Sequence, residues 1–187
     1  MIFNKHSDLE GQHAFLSPSQ FSWLNYSDEK LAARFVTIMA AKRGSDLHAL
    51  AHEAIRLGVK VDKRAYPALA NYVKDAIAYR MSCEQPLVYS SNCFGTPDTI
   101  SFRRSVLRIH DLKTGVSRAS EKQLEIYAAL FCLEYSVDPF SIEINLRIYQ
   151  NDEPDVYEPN PHRIVSIMEK IVEFDAQIER LKASEDF

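Results

Sequence analysis

The chain has 187 residues, 46% of them hydrophobic and 26% charged, with five glycines and eight prolines; this suits one compact domain, 1–187, and excludes a disordered or fibrous chain. A net charge of −4 argues against a passive nucleic-acid coat, whose affinity comes from neutralised phosphates, and no apolar run approaches the roughly 18 residues needed to span a bilayer. Cys83, Cys93 and Cys132 are scattered without a C-x-x-C pair and Met1-Ile-Phe-Asn-Lys-His6 has no signal pattern, so the expectation is a cytoplasmic protein with reduced thiols, no metal cage of cysteines and no membrane partner.

Residues 1–84 read as mainly helical. Ser17-Pro-Ser19 opens a helix, and Ser27 to about Arg43 carries Leu31, Phe35, Ile38 and Met39 at helical spacing. Gly44-Ser-Asp46 is expected to break that helix and cap another through Leu57; Tyr66 to about Cys83 carries Leu69, Tyr72, Val73, Ile77 and Met81 on one stripe. Residues 85–150 change character. Val, Tyr, Thr, Ile and Phe between turn residues predict strands near 86–91, 93–102 and 106–113, the last two forming a hairpin about Arg103-Arg104-Ser105. Ser117 to Tyr135 predicts a helix with Leu124, Tyr127, Ala128, Leu130 and Phe131 inward, and Phe140 to Gln150 alternates as the clearest strand. In 151–187, an acidic, proline-containing loop to Pro161 precedes a helix from His162 to about Lys182, with Ile164, Ile167, Met168, Ile171 and Phe174 inward. The order predicts an α/β fold: a central mixed sheet flanked by helices, with N-terminal helices and a C-terminal helix.

The chemistry concentrates in the predicted hairpin. Asp111 and Lys113, two apart on a strand, share one face about 7 Å apart, while Leu112 points into a core. Asp98 is six residues before Arg104 and His110 six after it, so the hairpin brings Asp98 and Asp111 within a residue of each other. Two carboxylates that hold a hard cation, Mg²⁺ or Mn²⁺, beside an ammonium form a recognisable catalytic pair for phosphodiesters. The Leu112 carbonyl, exposed by the strand beside Asp111, is a further candidate ligand. From Arg103 to Lys122, six basic residues outnumber two acids. This window is expected to surround the site as a basic cleft for a polyanion, with Arg103, Arg104, Arg108, Arg118 and Lys122 as candidate phosphate contacts.

Four motifs follow in order: Gly44-Ser-Asp-Leu-His48, Gly95-Thr-Pro-Asp98, Asp111-Leu-Lys113 and Gln123-Leu-Glu-Ile-Tyr127. Together they resemble the PD-(D/E)XK nuclease superfamily, closest to the RecB-like and lambda-exonuclease-like branch that includes phage and CRISPR-associated exonucleases, over roughly residues 44–127. The resemblance implies a restriction-endonuclease-like core and a Mg²⁺- or Mn²⁺-dependent DNA exonuclease of recombination, repair or phage DNA metabolism. It implies that His48, Asp98, Asp111 and the Leu112 carbonyl hold metal. It also implies that Asp98, Asp111, Lys113, Gln123 and Tyr127 form the catalytic set, Lys113 orienting or deprotonating the attacking water. His48 has the rival reading of a hydrogen-bonded core histidine, and Ser120-x-x-Gln123 is also a capping box. The chain lacks the four cysteines of iron–sulfur members and the motifs of a helicase. Members that thread DNA form rings, which admits a homo-oligomer or a recombination partner protein. The alternative is a catalytically inactive nucleic-acid-binding or inhibitory protein on the same scaffold.

Overall fold

The computed structural model describes residues 14–115 and 120–184. The chain divides into two compact units, Met1–Arg43 and Gly44–Phe187. In the first, the expected helix after Ser17 is a 3-10 turn, Pro18–Asn25, with proline at its first position, where a fixed φ is already suitable. Trp23 Nε1 donates to the Ser17 carbonyl at 2.9 Å. Helix α1 covers Asp28–Leu57, and Asp28 and Glu29 in its first turn complement its positive end.

Helix α1 runs through Gly44, where the sequence predicts a break. Gly44 is buried, and a Cβ there would stand 2.6 Å from Thr114 Oγ1. The glycine is a close-packing position that costs about 1 kcal/mol of helix propensity, rather than a stop signal. Helix α2, Pro67–Ala78, buries Leu69, Tyr72, Val73 and Ala76.

The second unit is an α/β structure around a mixed sheet. Its strands are β1 (Ser82–Cys83), β4 (Thr99–Arg103), β5 (Val106–Leu112), β6 (Glu143–Tyr149) and β7 (Asp155–Tyr157), in the order β1-β4-β5-β6-β7. Only β5 and β6 run parallel. Helix α3 (Lys122–Glu134) connects them, and α4 (Pro161–Ser184) is the C-terminal helix. The predicted strand 93–102 is two: β2 (Leu87–Ser90) pairs with β3 (Cys93–Gly95) in a separate ribbon, and the main sheet resumes only at Thr99. Pro97, without an N–H for the ladder, stands at the break. Strands β1 and β7 are too short for a periodic signal; the latter lies inside the stretch expected to be loop. Ser117, the expected start of this helix, lies outside the described residues; α3 begins at Lys122. Phe174, expected inward, is 48% exposed, whereas Ile164 is fully buried.

The period of two assigns the layers. Leu107, Ile109, Ile144, Leu146 and Ile148 pack with α3 and α4 residues in one apolar cluster. Leu112 and Tyr149 join Ala51, Leu69, Tyr72 and Val73 in a second cluster with α1 and α2. His110 lies on the α2 side, fully buried, its ring 5.9 Å from that of Tyr79 and 5.3 Å from that of Tyr149. Tyr149 Oη is 3.3 Å from His110 Nδ1 and donates to Asp75, which also pairs with Arg147 at 2.8 Å. No described group bonds His110 Nε2.

Burial, and then the positive charges of Arg147 and Arg108, lower the His110 pKa to about 3. The unfolded chain therefore binds a proton below its ordinary pKa of about 6.5 that the folded one refuses, and stability is lost as pH falls through that window. Between pH 7 and pH 5 this amounts to about 2 kcal/mol. His110→Phe, which keeps the ring packing, should flatten the denaturant-unfolding free energy over that interval relative to the parent; parallel curves would refute the buried neutral imidazole.

Candidate active site

The β4–β5 hairpin sets the site. Its loop is the two residues Arg104 and Ser105, both at positive φ (52° and 57°), between the paired Arg103 and Val106; two such residues make the tight turn whose twist matches a hairpin. The ladder ends with Thr99 opposite His110, so Asp98 follows at the level of Asp111. Asp98 Oδ2 accepts the Leu112 N–H at 2.8 Å and lies 3.5 Å from His48 Nδ1 on α1. One carboxylate thus fastens the end of β4 to β5 and meets an imidazole from α1.

Asp111 is 4% exposed and Lys113 half-buried beside it. Lys113 Nζ donates to Asp111 Oδ1 at 3.1 Å; it is also 3.0 Å from Oδ2, but without hydrogen-bond geometry, so Oδ2 is buried with no directed donor among the described residues. Burial first, and the Asp98 carboxylate second, hold the Asp111 pKa above its ordinary value; the Lys113 bond and charge oppose this without cancelling it. Two neighbouring acids, one with an orphaned buried oxygen, form a site that a divalent cation would relieve. No three His, Cys, Asp or Glu side chains of the described residues form a ready-made cage. The donor set of two carboxylates suits Mg²⁺ or Mn²⁺, which use one or two carboxylates, waters and substrate phosphate. The Leu112 side chain is buried in the second cluster while its backbone lies against Asp98.

Gln123 and Tyr127, one turn apart on α3, join this group. Gln123 Oε1 accepts from Lys113 Nζ at 3.3 Å, its Nε2 donates to Tyr127 Oη at 3.3 Å, and Tyr127 Oη donates to the Thr96 carbonyl at 3.1 Å. The side chain of Gln123 therefore faces Lys113 rather than reaching back to Ser120, so the reciprocal half of the capping box is not formed, although Ser120 Oγ accepts the Lys122 N–H at 3.4 Å. A Cβ on Gly95 would lie 2.8 Å from Tyr127 Cε1, so the glycine of Gly95-Thr-Pro-Asp98 makes room for the tyrosine.

The expected phosphate contacts do not surround the carboxylates, which corrects the reading of the basic window. Arg103 and Arg104 sit at the hairpin turn, and Arg108, stacked on Tyr79 at 4.6 Å, is on the α2 side. Lys122 lines a groove between α3 and α4 with Ile126, Ile167 and Ile171. Arg118 lies outside the described residues. Alternation explains the miss: Arg108 is three residues from Asp111, an odd separation that puts them on opposite faces. One carboxylate was missed. Glu84 Oε1 lies 3.4 Å from Nδ1 of His52, one turn beyond His48, and the Glu84 N–H donates to the Asp98 carbonyl at 3.0 Å. No spacing motif links it to Asp98; the pairing of β1 with β4 brings it there. Glu53, by contrast, is exposed and paired with Arg56.

Gly44→Ala should destabilise by about 1–3 kcal/mol despite alanine's better helix propensity, because the added methyl meets Thr114. Thr114→Ala removes that obstacle, so the double variant should recover most of the loss in a thermal-unfolding cycle; additive losses would mean that the two positions do not touch. Against protein-family models, curated proteins and solved structures the chain finds no match.

Proposed function

We propose that the chain is a metal-dependent DNA nuclease of PD-(D/E)XK type, with a restriction-endonuclease-like core, acting as an exonuclease in recombination, repair or phage DNA metabolism. The observation that carries this is the convergence of Asp98, Asp111 and Lys113 at one end of the β4–β5 hairpin, with the orphaned Asp111 Oδ2 among them. Asp98, Asp111 and the Leu112 carbonyl hold Mg²⁺ or Mn²⁺, and His48 contributes from α1. The cation supplies Lewis acidity towards the scissile phosphate and the attacking water.

The remaining work belongs to side chains. Lys113 orients the water and steadies negative charge that builds on the phosphate, an effect that grows where bulk water is excluded. Gln123 fixes the Lys113 ammonium, and Tyr127 fixes Gln123 against the Thr96 carbonyl. DNA is the partner, and the reading admits a homo-oligomer or a recombination partner protein. No helix of the described residues is long and apolar enough to cross a membrane; Cys83, Cys93 and Cys132 are all free thiols, which suits a reducing cytoplasm.

Two measurements test the reading. On labelled duplex and single-stranded DNA with Mg²⁺ or Mn²⁺, Asp111→Ala or Lys113→Ala should lower cleavage by at least about a hundredfold with the fold retained; equal rates in variant and parent would end it. Mn²⁺ should raise the parent's melting temperature, by about 2.7 kcal/mol of stability at a hundred times its dissociation constant. Asp111→Asn should not respond. An inactive binding protein on this scaffold would bind DNA without cutting it under any of these conditions.

A further inference from the structure

A second cationic feature stands apart from the carboxylates. Arg80, Arg103, Arg104 and Arg108 line, with Tyr79, a cavity of about 590 Å³. They come from three places: just after α2, the hairpin turn, and the first half of β5. No Asp or Glu oxygen of the described residues lies within 4.0 Å of any of the four guanidinium groups. The acid next to this region, Asp75, is already taken by Arg147 and Tyr149. Arg108 and Arg147 both lie over the Tyr79 ring, at 4.6 and 5.3 Å; Arg147 is paired with Asp75 at 2.8 Å, whereas Arg108 has no described carboxylate partner.

The backbone adds an independent observation. Arg80 and Arg104 both have positive φ, 51° and 52°, a conformation that costs a non-glycine residue on the order of 1 kcal/mol. Glycine or asparagine would suit either position better. Arginine is locally unfavourable in backbone conformation at both positions, and both residues line one cavity.

We infer that this cavity is a phosphate-binding site that grips a nucleic-acid backbone without metal, separate from the site of cleavage. Planar guanidinium groups match phosphate oxygens in bidentate fashion, and four of them, spread over three elements, suit successive phosphates of a strand. Arg103 and Arg108 lie on the α2 face of the sheet, opposite Asp111; the turn is seven residues from Asp111 along β5, roughly 20 Å. The inference rests on nucleic acid being the ligand of the proposed function, not on its being cut.

The test is fluorescence anisotropy with labelled single-stranded and duplex oligonucleotides in EDTA, over a range of salt. The parent should bind, and Arg103→Ala/Arg104→Ala should weaken binding at least about tenfold, lowering the duplex log–log salt slope by about 1.8 for two lost phosphate contacts. Arg104→Gly should melt no lower than the parent yet still bind more weakly, which separates ligand contact from folding. Arg56→Ala, already paired with Glu53, serves as the control and should change neither quantity. Absence of binding in EDTA, an unchanged slope in the arginine variants, or saturable binding of inorganic pyrophosphate with none of the oligonucleotides would overturn the inference. Arginine-dependent binding by a parent that cuts nothing would leave the inference standing and remove the nuclease reading; cutting with arginine-independent binding would do the reverse.

Discussion

The hydrogen bond from the Leu112 N–H to Asp98 Oδ2 is the contact on which the site turns. The β4–β5 ladder ends at Thr99 and His110, and an acid just beyond a ladder would ordinarily turn to solvent. Here it closes the ladder by one more bond, from side chain to backbone, and so comes beside Asp111. The two-residue turn makes that register robust: a slip of one residue would send Asp111 into the apolar cluster on the α2 side in place of Leu112, away from Lys113. The hydrophobic effect that buries Leu107, Ile109 and Leu112 thereby also fixes where the carboxylates stand.

Around that pair, the motif residues are linked by contacts as well as by order. Gly95 leaves space for the Tyr127 ring, Tyr127 holds Gln123, Gln123 holds Lys113, and Lys113 bonds Asp111. Gly44 leaves space for Thr114, the residue after Lys113, and sits one turn before His48 on α1. Each glycine is needed for what approaches it, since neither Gly44 nor Gly95 has a positive φ. A side chain at either position would displace a group one or two contacts from Asp111.

Much of this was legible in the sequence. The strong α3, β6 and α4 patterns placed the layers, and counting outward from Arg104 brought Asp98 within one residue of Asp111; the ladder centres the turn between Arg104 and Ser105, which moves Asp98 on from His110 to the level of Asp111. The sequence was misleading where one residue type serves two ends. Glycine reads as a helix stop, but Gly44 is held inside α1 by packing that outweighs its propensity. Pro97 should have divided the predicted strand 93–102, because it cannot donate to a ladder. Glu84 could not be found at all, since only the pairing of the two-residue β1 with β4 brings it to His52. The charge window failed differently. Linear density of arginines carries no information about sheet face, and a strand sends alternate residues to opposite sides.

That last point decides how charge is distributed over the fold. On the α3 side of the sheet, Asp98 and Asp111 meet Lys113 and His48, and the Asp111 pKa is held up by burial and by its neighbour. On the α2 side, Arg108 and Arg147 both lie over the Tyr79 ring, Arg147 paired with Asp75, and burial holds the pKa of the neighbouring His110 down. Were His110 charged, a third cation would join two guanidinium groups in a low-dielectric layer, where like charges repel far more strongly than in water. A neutral imidazole avoids that repulsion, as the Lys113 ammonium offsets the two acids on the other face. One sheet, five strands wide, keeps an acidic end and a basic end apart by strand alternation and by the seven residues from Arg104 to Asp111.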